Sequence, residues 1–159
     1  MTTIAYDPFN GIIASDSQES DCGRKTPTKK LYKVNNHIIA TAGGTYAGLL
    51  FVEWFDEWES EPDWSDRPDL INLDWEEDFE CMVIRPGGTC YTVNRLFAPY
   101  ERDISDFIVL GSGSKVALGS LKTQRYLMDD INIDVKLAVR IACDVDEHSS
   151  GKIQTMKVT

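Results

Sequence analysis

The chain has 159 residues, the size of one domain, and at that length about two thirds of the surface exposed by the unfolded chain is buried on folding. Its 16 basic side chains face 26 acidic ones, a formal net charge of −10. That balance argues against a nucleic-acid or anionic-membrane partner, because both are bound by clustered Lys and Arg. Neither the four cysteines nor the two histidines stand at zinc-ligand spacing, and reduced thiols fit a cytoplasmic protein. No basic segment precedes an apolar run, and Asp7 and Pro8 interrupt the first hydrophobic stretch, so neither a signal peptide nor a membrane span is expected.

In chain order, Thr2 to Tyr6 and Gly11 to Ser15 read as two short strands around a loop with Pro8, Asn10 and Gly11. A polar stretch from Ser17 to Thr28 follows without strand character. Lys30 to Val34 and His37 to Ala42 form a hairpin across Asn35-Asn36, residues that tolerate positive φ. Gly43-Gly44 opens a helix whose apolar face is Ala47, Leu50, Phe51, Trp54, Phe55 and Trp58. The acidic segment Ser60 to Asp78 has Pro62 and Pro68 and no period, so it reads as loop with at most a short helical turn. Trp64 and Trp75 would cap the underlying core.

Strands return at Phe79–Ile84 and Cys90–Asn94 around a Pro-Gly-Gly turn, which would make Cys81 and Cys90 diagonal neighbours rather than a disulfide pair. A further strand is expected at Phe107–Leu110. One helix starts after Gly111-Ser112-Gly113 and runs to about Met128. A second follows Asp134, an N-cap, with Ala138, Ile141, Ala142 and Val145 as its buried stripe. A last strand spans Lys152–Val158. Antiparallel hairpins with grouped helices disfavour a βαβ dinucleotide fold. Two sheets packed on each other between helical layers bury every apolar face.

A threonine hydroxyl needs a base beside it to act as a nucleophile. A chain-terminal threonine carries its own, an α-amine with a reference pKa of about 7.7–8.0. Removal of Met1 would make Thr2 such a residue. Lys30 would supply a cation to tune it, Asp16 a carboxylate to hold that cation, and Gly43, at a strand-to-helix junction, an oxyanion donor.

These residues, in this order, resemble proteasome β-type subunits and HslV-like N-terminal-nucleophile hydrolases. The resemblance is carried by Thr2-Thr3-Ile4, Ala14-Ser15-Asp16, Lys29-Lys30-Leu31 and Ala42-Gly43-Gly44-Thr45. It resumes at Gly111-Ser112-Gly113-Ser114 and at Asp146-Glu147-His148-Ser149-Ser150-Gly151, where the family prefers glycine at the position of Ser150. It implies an α+β fold, a four-layer αββα sandwich of two antiparallel sheets flanked by helices, over residues 1–159 as one domain. It further implies a threonine peptidase with Thr2 as nucleophile, Asp16 and Lys30 as its ion pair, Gly43 as oxyanion donor, and Ser112, Asp146 and Ser149 orienting the α-amine and a water. No cofactor or metal is required by such chemistry.

The pocket for the side chain before the scissile bond would comprise Thr28, Tyr32, Thr41, Thr45 and Leu49, small to medium residues that favour apolar substrates. Implied partners are unfolded polypeptides, further copies in a homo-oligomeric ring, a second stacked ring, and an ATP-dependent unfoldase. The unfoldase is the expectation most affected by the short, acidic Ser60–Asp78 segment. Two alternatives stay open from sequence: an amidase of the same class acting on small amides, and a non-catalytic ring or scaffold protein.

Overall fold

The computed structural model describes residues 2–21, 24–68 and 78–159. The layers follow from which face each residue of a strand presents. In β1 (Ile4–Asp7) and β2 (Ile12–Ser15), Ile4, Tyr6 and Ile13 turn to one apolar cluster, while Ala5 and Ala14 turn to another. In β6 (His37–Gly43) and β7 (Phe79–Ile84), Ile38, Ala40, Met82 and Ile84 join that first cluster, and Ile39, Cys81 and Val83 face away from it. Period-two alternation therefore places one cluster between two sheets and one on the outside of each.

The first sheet is ordered β10-β1-β2-β11, with β10 at Ile108–Leu110 and β11 at Gln154–Lys157. The second is ordered β5-β6-β7-β8-β9, with β5 at Leu31–Val34, β8 at Cys90–Asn94 and β9 at Pro99–Glu101. All their pairings are antiparallel. Helix α1 (Thr45–Asp56) covers the outer face of the second sheet, and α2 (Ser114–Leu127) with α3 (Val135–Val145) covers that of the first. The result is the expected αββα sandwich, with both outer sheet faces covered by helix as its apolar pattern requires.

Several boundaries and faces differ from the sequence reading. The stretch Ser17–Thr28 holds a separate two-stranded hairpin, β3 (Gln18–Asp21) with β4 (Arg24–Pro27). The exposure of all of β4 explains why no apolar alternation betrays it. The three exposed residues of β9 escaped for the same reason. In α3 the buried stripe is Val135, Ala138, Val139 and Ala142, whereas Ile141 and Val145 are exposed, so the expected stripe is rotated. Cys81 pairs with Val93 and Cys90 with Ile84, an odd offset that sends the two thiols into different clusters on opposite faces. They are not diagonal neighbours. Trp75 lies outside the described residues.

The hairpin of β5 and β6 turns through Asn35 and Asn36 at φ 47° and 65°, as anticipated. Asp134 caps α3 by accepting from the Leu137 amide at 2.9 Å. Trp64, in a short 3₁₀ turn, stacks on Phe51 and meets Trp54 and Tyr91 edge-on. Phe51 is the hub of this aromatic cluster, fully buried and 5.2 to 6.2 Å between ring centroids from Trp54, Phe55, Trp64, Phe79 and Phe97. Phe51→Ala leaves a cavity among rings that cannot all collapse into it, and is expected to cost about 3–5 kcal/mol. Urea denaturation will read this as a lower midpoint at unchanged slope.

Candidate active site

The site is built at the end of the first sheet. Thr2 and Thr3 lead into β1, Asp16 follows β2, and Lys30 precedes β5. Pairing of β1 with β2 sets Ile4 opposite Ser15, and beyond that register the Asp16 amide donates to the Thr3 carbonyl at 3.1 Å. The strand that carries Thr2 and the Asp16 carboxylate are therefore fixed by sheet hydrogen bonding rather than by side-chain preference.

Asp16 is fully buried, and Lys30 is 5% exposed. The Lys30 ammonium donates to both carboxylate oxygens of Asp16, at 3.0 and 3.1 Å, and to Thr2 Oγ1 at 2.7 Å. Asp16 also accepts from the amides of Thr3 at 2.9 Å, Gln18 at 3.2 Å and Ser150 at 3.3 Å. A carboxylate so surrounded stays hydrogen-bonded at each oxygen in the absence of water. Gln154 on β11 holds the chain around Lys30, its Oε1 accepting from the amides of Lys30 at 3.0 Å and Leu31 at 3.3 Å while its Nε2 donates to Thr28 O at 2.8 Å.

A second network reaches the site from the other side. Asp146 Oδ2 accepts from Ser112 Oγ and from Ser149 Oγ, both at 2.6 Å. Ser149 Oγ in turn lies 2.8 Å from Thr3 Oγ1, and Ser112 Oγ lies 3.5 Å from the Thr2 carbonyl oxygen. Burial pushes the Asp146 carboxyl up, but hydrogen bonds from Ser112, Ser149 and the His148 amide together outweigh it and hold the group below the usual aspartate value.

Two glycines let backbone approach backbone here. Gly43, at φ +88°, ends β6 against the Asp78 carbonyl, where an added Cβ would stand 1.6 Å from that oxygen. Gly111, at φ +86°, packs so closely on Thr2 that a Cβ would stand 2.0 Å from the Thr2 carbonyl oxygen. Neither position accommodates a side chain.

The structure thus brings Thr2, Asp16, Lys30, Ser112, Asp146 and Ser149 into one connected set of hydrogen bonds. Gly43 borders, together with Thr2, both clefts that open beside it. The first cleft, of about 360 Å³, includes Thr28, Tyr32, Thr41 and Thr45 in its wall. Leu49 is not in that wall; it is exposed on α1. Sequence reasoning missed Thr3, whose amide and hydroxyl join the two networks, and Gln154. Both are polar residues at sheet positions with no local signature, and only the pairing of β2 with β1 and β11 sets them in place.

Lys30 titrates below the ordinary lysine value. Burial lowers it, and the charge and hydrogen bonds of Asp16 recover only part of the loss. The sign for stability follows: the folded state disfavours the ammonium relative to the unfolded chain, so this contribution is fully present above the unfolded lysine value and declines as pH falls through the folded one. Asp16→Asn keeps much of the hydrogen bonding and removes the charge that raises Lys30. An NMR titration of ¹³Cε-labelled lysine will find the Lys30 midpoint below the free value of about 10.4, and lower still in Asp16→Asn.

Neither a protein-family profile nor a curated protein sequence matches the chain. Solved structures do match it. Thiobacillus denitrificans BPH in complex with epoxomicin superposes with a TM-score of 0.76 at 19% identity, covering 99% of this chain and 100% of that one. A second structure of Thiobacillus denitrificans BPH gives 0.70 at 19% identity, over 99% and 98% of the two chains. Eukaryotic HslV from Trypanosoma brucei gives 0.68 at 18% identity, over 98% and 99%. Over nearly its whole length, the chain has the N-terminal-nucleophile fold of the proteasome and HslV type.

Proposed function

We propose that the chain is a threonine-type endopeptidase subunit that cuts unfolded polypeptides inside a ring of identical copies, with Thr2 as nucleophile after removal of Met1. The observation that carries this reading is the 2.7 Å hydrogen bond from the buried Lys30 ammonium to Thr2 Oγ1, with Asp16 behind it. Apolar residues of the same volume would fill the position at a lower desolvation cost, and chemistry at the hydroxyl accounts for a buried cation placed against it.

In the reaction the freed α-amine of Thr2 takes the proton from Oγ1 as that oxygen attacks the peptide carbonyl. The Lys30 charge stabilises the developing alkoxide and favours the neutral amine. Negative charge on the carbonyl oxygen is received by the backbone at Gly43. The protonated amine then passes its proton to the departing nitrogen, leaving an ester on Thr2. Water, activated by the same amine and oriented by Ser112, Asp146 and Ser149, cleaves that ester and restores the hydroxyl. Ring assembly, a stacked second ring and an ATP-driven unfoldase belong to this reading as proposals.

Intact-mass analysis will show a species lacking Met1, and a threonine-directed β-lactone will add one equivalent to it. Thr2→Ala will not be labelled and will lose peptide turnover by about 10³-fold or more, the scale seen when a nucleophile is removed from a site that keeps its other parts. Equal labelling of wild type and Thr2→Ala would refute the nucleophile. Asp146→Asn is expected to lower kcat by about 10- to 100-fold with little change in KM, since its network contacts Thr2 and Thr3 rather than the proposed substrate cleft.

A further inference from the structure

The cleft beside Thr2 carries more negative polarity than its small, uncharged threonines suggest. Glu19, on β3, lines it and accepts a hydrogen bond from Thr45 Oγ1 on the opposite wall. Among the described residues no lysine, arginine or histidine forms an ion pair with Glu19. Its neighbour Gln18, which also lines the cleft, is 3% exposed, and its Oε1 has no hydrogen-bond partner among the described residues. Its Nε2 donates to Ser20 Oγ at 2.8 Å, and Ser20 lines the same cleft.

The Glu19 carboxylate thus stands in the cavity wall with no ion-pair partner among the described residues. Of the two lysines on the same wall, Lys30 is hydrogen-bonded to Asp16 and Thr2, and the Lys29 ammonium sits 4.7 Å above the Tyr32 ring centroid. The charge of Glu19 reaches Lys30 without pairing with it, so the carboxylate keeps a place for a cation brought by a ligand.

We propose that this cleft selects a lysine or arginine side chain immediately before the bond that is cut, with the Glu19 carboxylate as the specificity-determining group. The apolar preference expected from the threonines is thereby replaced. The assignment rests on the peptidase reading for its meaning, but not for its physics. The cavity binds a cationic side chain whether or not Thr2 reacts.

The test separates the two. In Thr2→Ala, fluorescence anisotropy compares peptides identical except for a C-terminal arginine, norleucine or glutamate. Arginine is expected to bind about tenfold or more tightly than norleucine, the scale of one charge-assisted hydrogen bond, with glutamate weakest. Glu19→Gln keeps the acceptor for Thr45 and removes only the charge, so it should erase most of that gap at an unchanged melting temperature. Glu19→Lys should bring the glutamate peptide ahead of arginine. Norleucine binding as well as arginine in the Thr2→Ala background, or a gap that survives Glu19→Gln, overturns the proposal. On the chain with Thr2 intact and Met1 removed, peptidyl-arginine and peptidyl-leucine coumarylamides should differ in kcat/KM in the same direction. Absence of turnover of both, with the binding gap intact, would count against the peptidase reading while upholding the selectivity of the cleft.

Discussion

The buried ion pair of Asp16 and Lys30 is the node on which five separate stretches of chain converge. An ammonium and a carboxylate withdrawn from water are costly unless each is well satisfied. Here the carboxylate gathers the amides of Thr3, Gln18 and Ser150, and the ammonium gathers Thr2. Gln154 completes the arrangement by fixing the backbone that carries the lysine. The start of β1, the exit of β2, the root of the small hairpin, the loop after α3 and the last strand are all registered against one pair of charges. An arrangement of this kind resists displacement because each stretch that moves takes a hydrogen bond from a buried charge, and so the Thr2 hydroxyl is held at hydrogen-bond distance from a cation.

The two networks around Thr2 divide their labour electrostatically. The Asp16–Lys30 side presents positive charge to the hydroxyl. The Asp146 side ends in two serine hydroxyls and the hydroxyl of Thr3, groups that rotate to donate or accept as a proton moves. Thr3 touches both, through its amide and its side chain. Residues on either side are drawn from opposite ends of the chain, so the site exists only once the first sheet has closed around β1 and β2.

Much of the fold was legible because its strands are buried on one or both faces. Ile38 to Ala42 and Phe79 to Ile84 announce themselves as apolar runs broken only by Thr41 and Glu80, and Asn35-Asn36 as the turn between strands. What escaped was polar structure. Hairpin β3–β4 is held by hydrogen bonds rather than by apolar burial, and sequence periodicity senses burial, not hydrogen bonds. The faces of α3 were misjudged because Ile141 and Val145 look like core, yet helix rotation is fixed by what α2 and the sheet offer opposite. The positions of Thr2, Asp16, Lys30 and Asp146 could be named through family resemblance, whereas the part played by Thr3, and the positions of Gln18, Glu19 and Gln154, could not. Their parts in the site arise from register and from the path of the hairpin, neither of which has a local signature.

The hairpin itself has a wider meaning. Asp16 stands immediately before its first segment and Lys30 shortly after its second, so the ion pair is also the clasp that joins the hairpin's two ends. Backbone bonds from Thr28 to Ser17 and from Ser17 to Ser150 tighten the same neck. A loop closed at its base by such a clasp tolerates changes of length well, because doubling it adds only about 0.6 kcal/mol of closure entropy. Insertions and deletions within it would reshape one wall of the cleft beside Thr2 while leaving the charges at the neck in place. The wall and the ion pair can therefore change independently of each other.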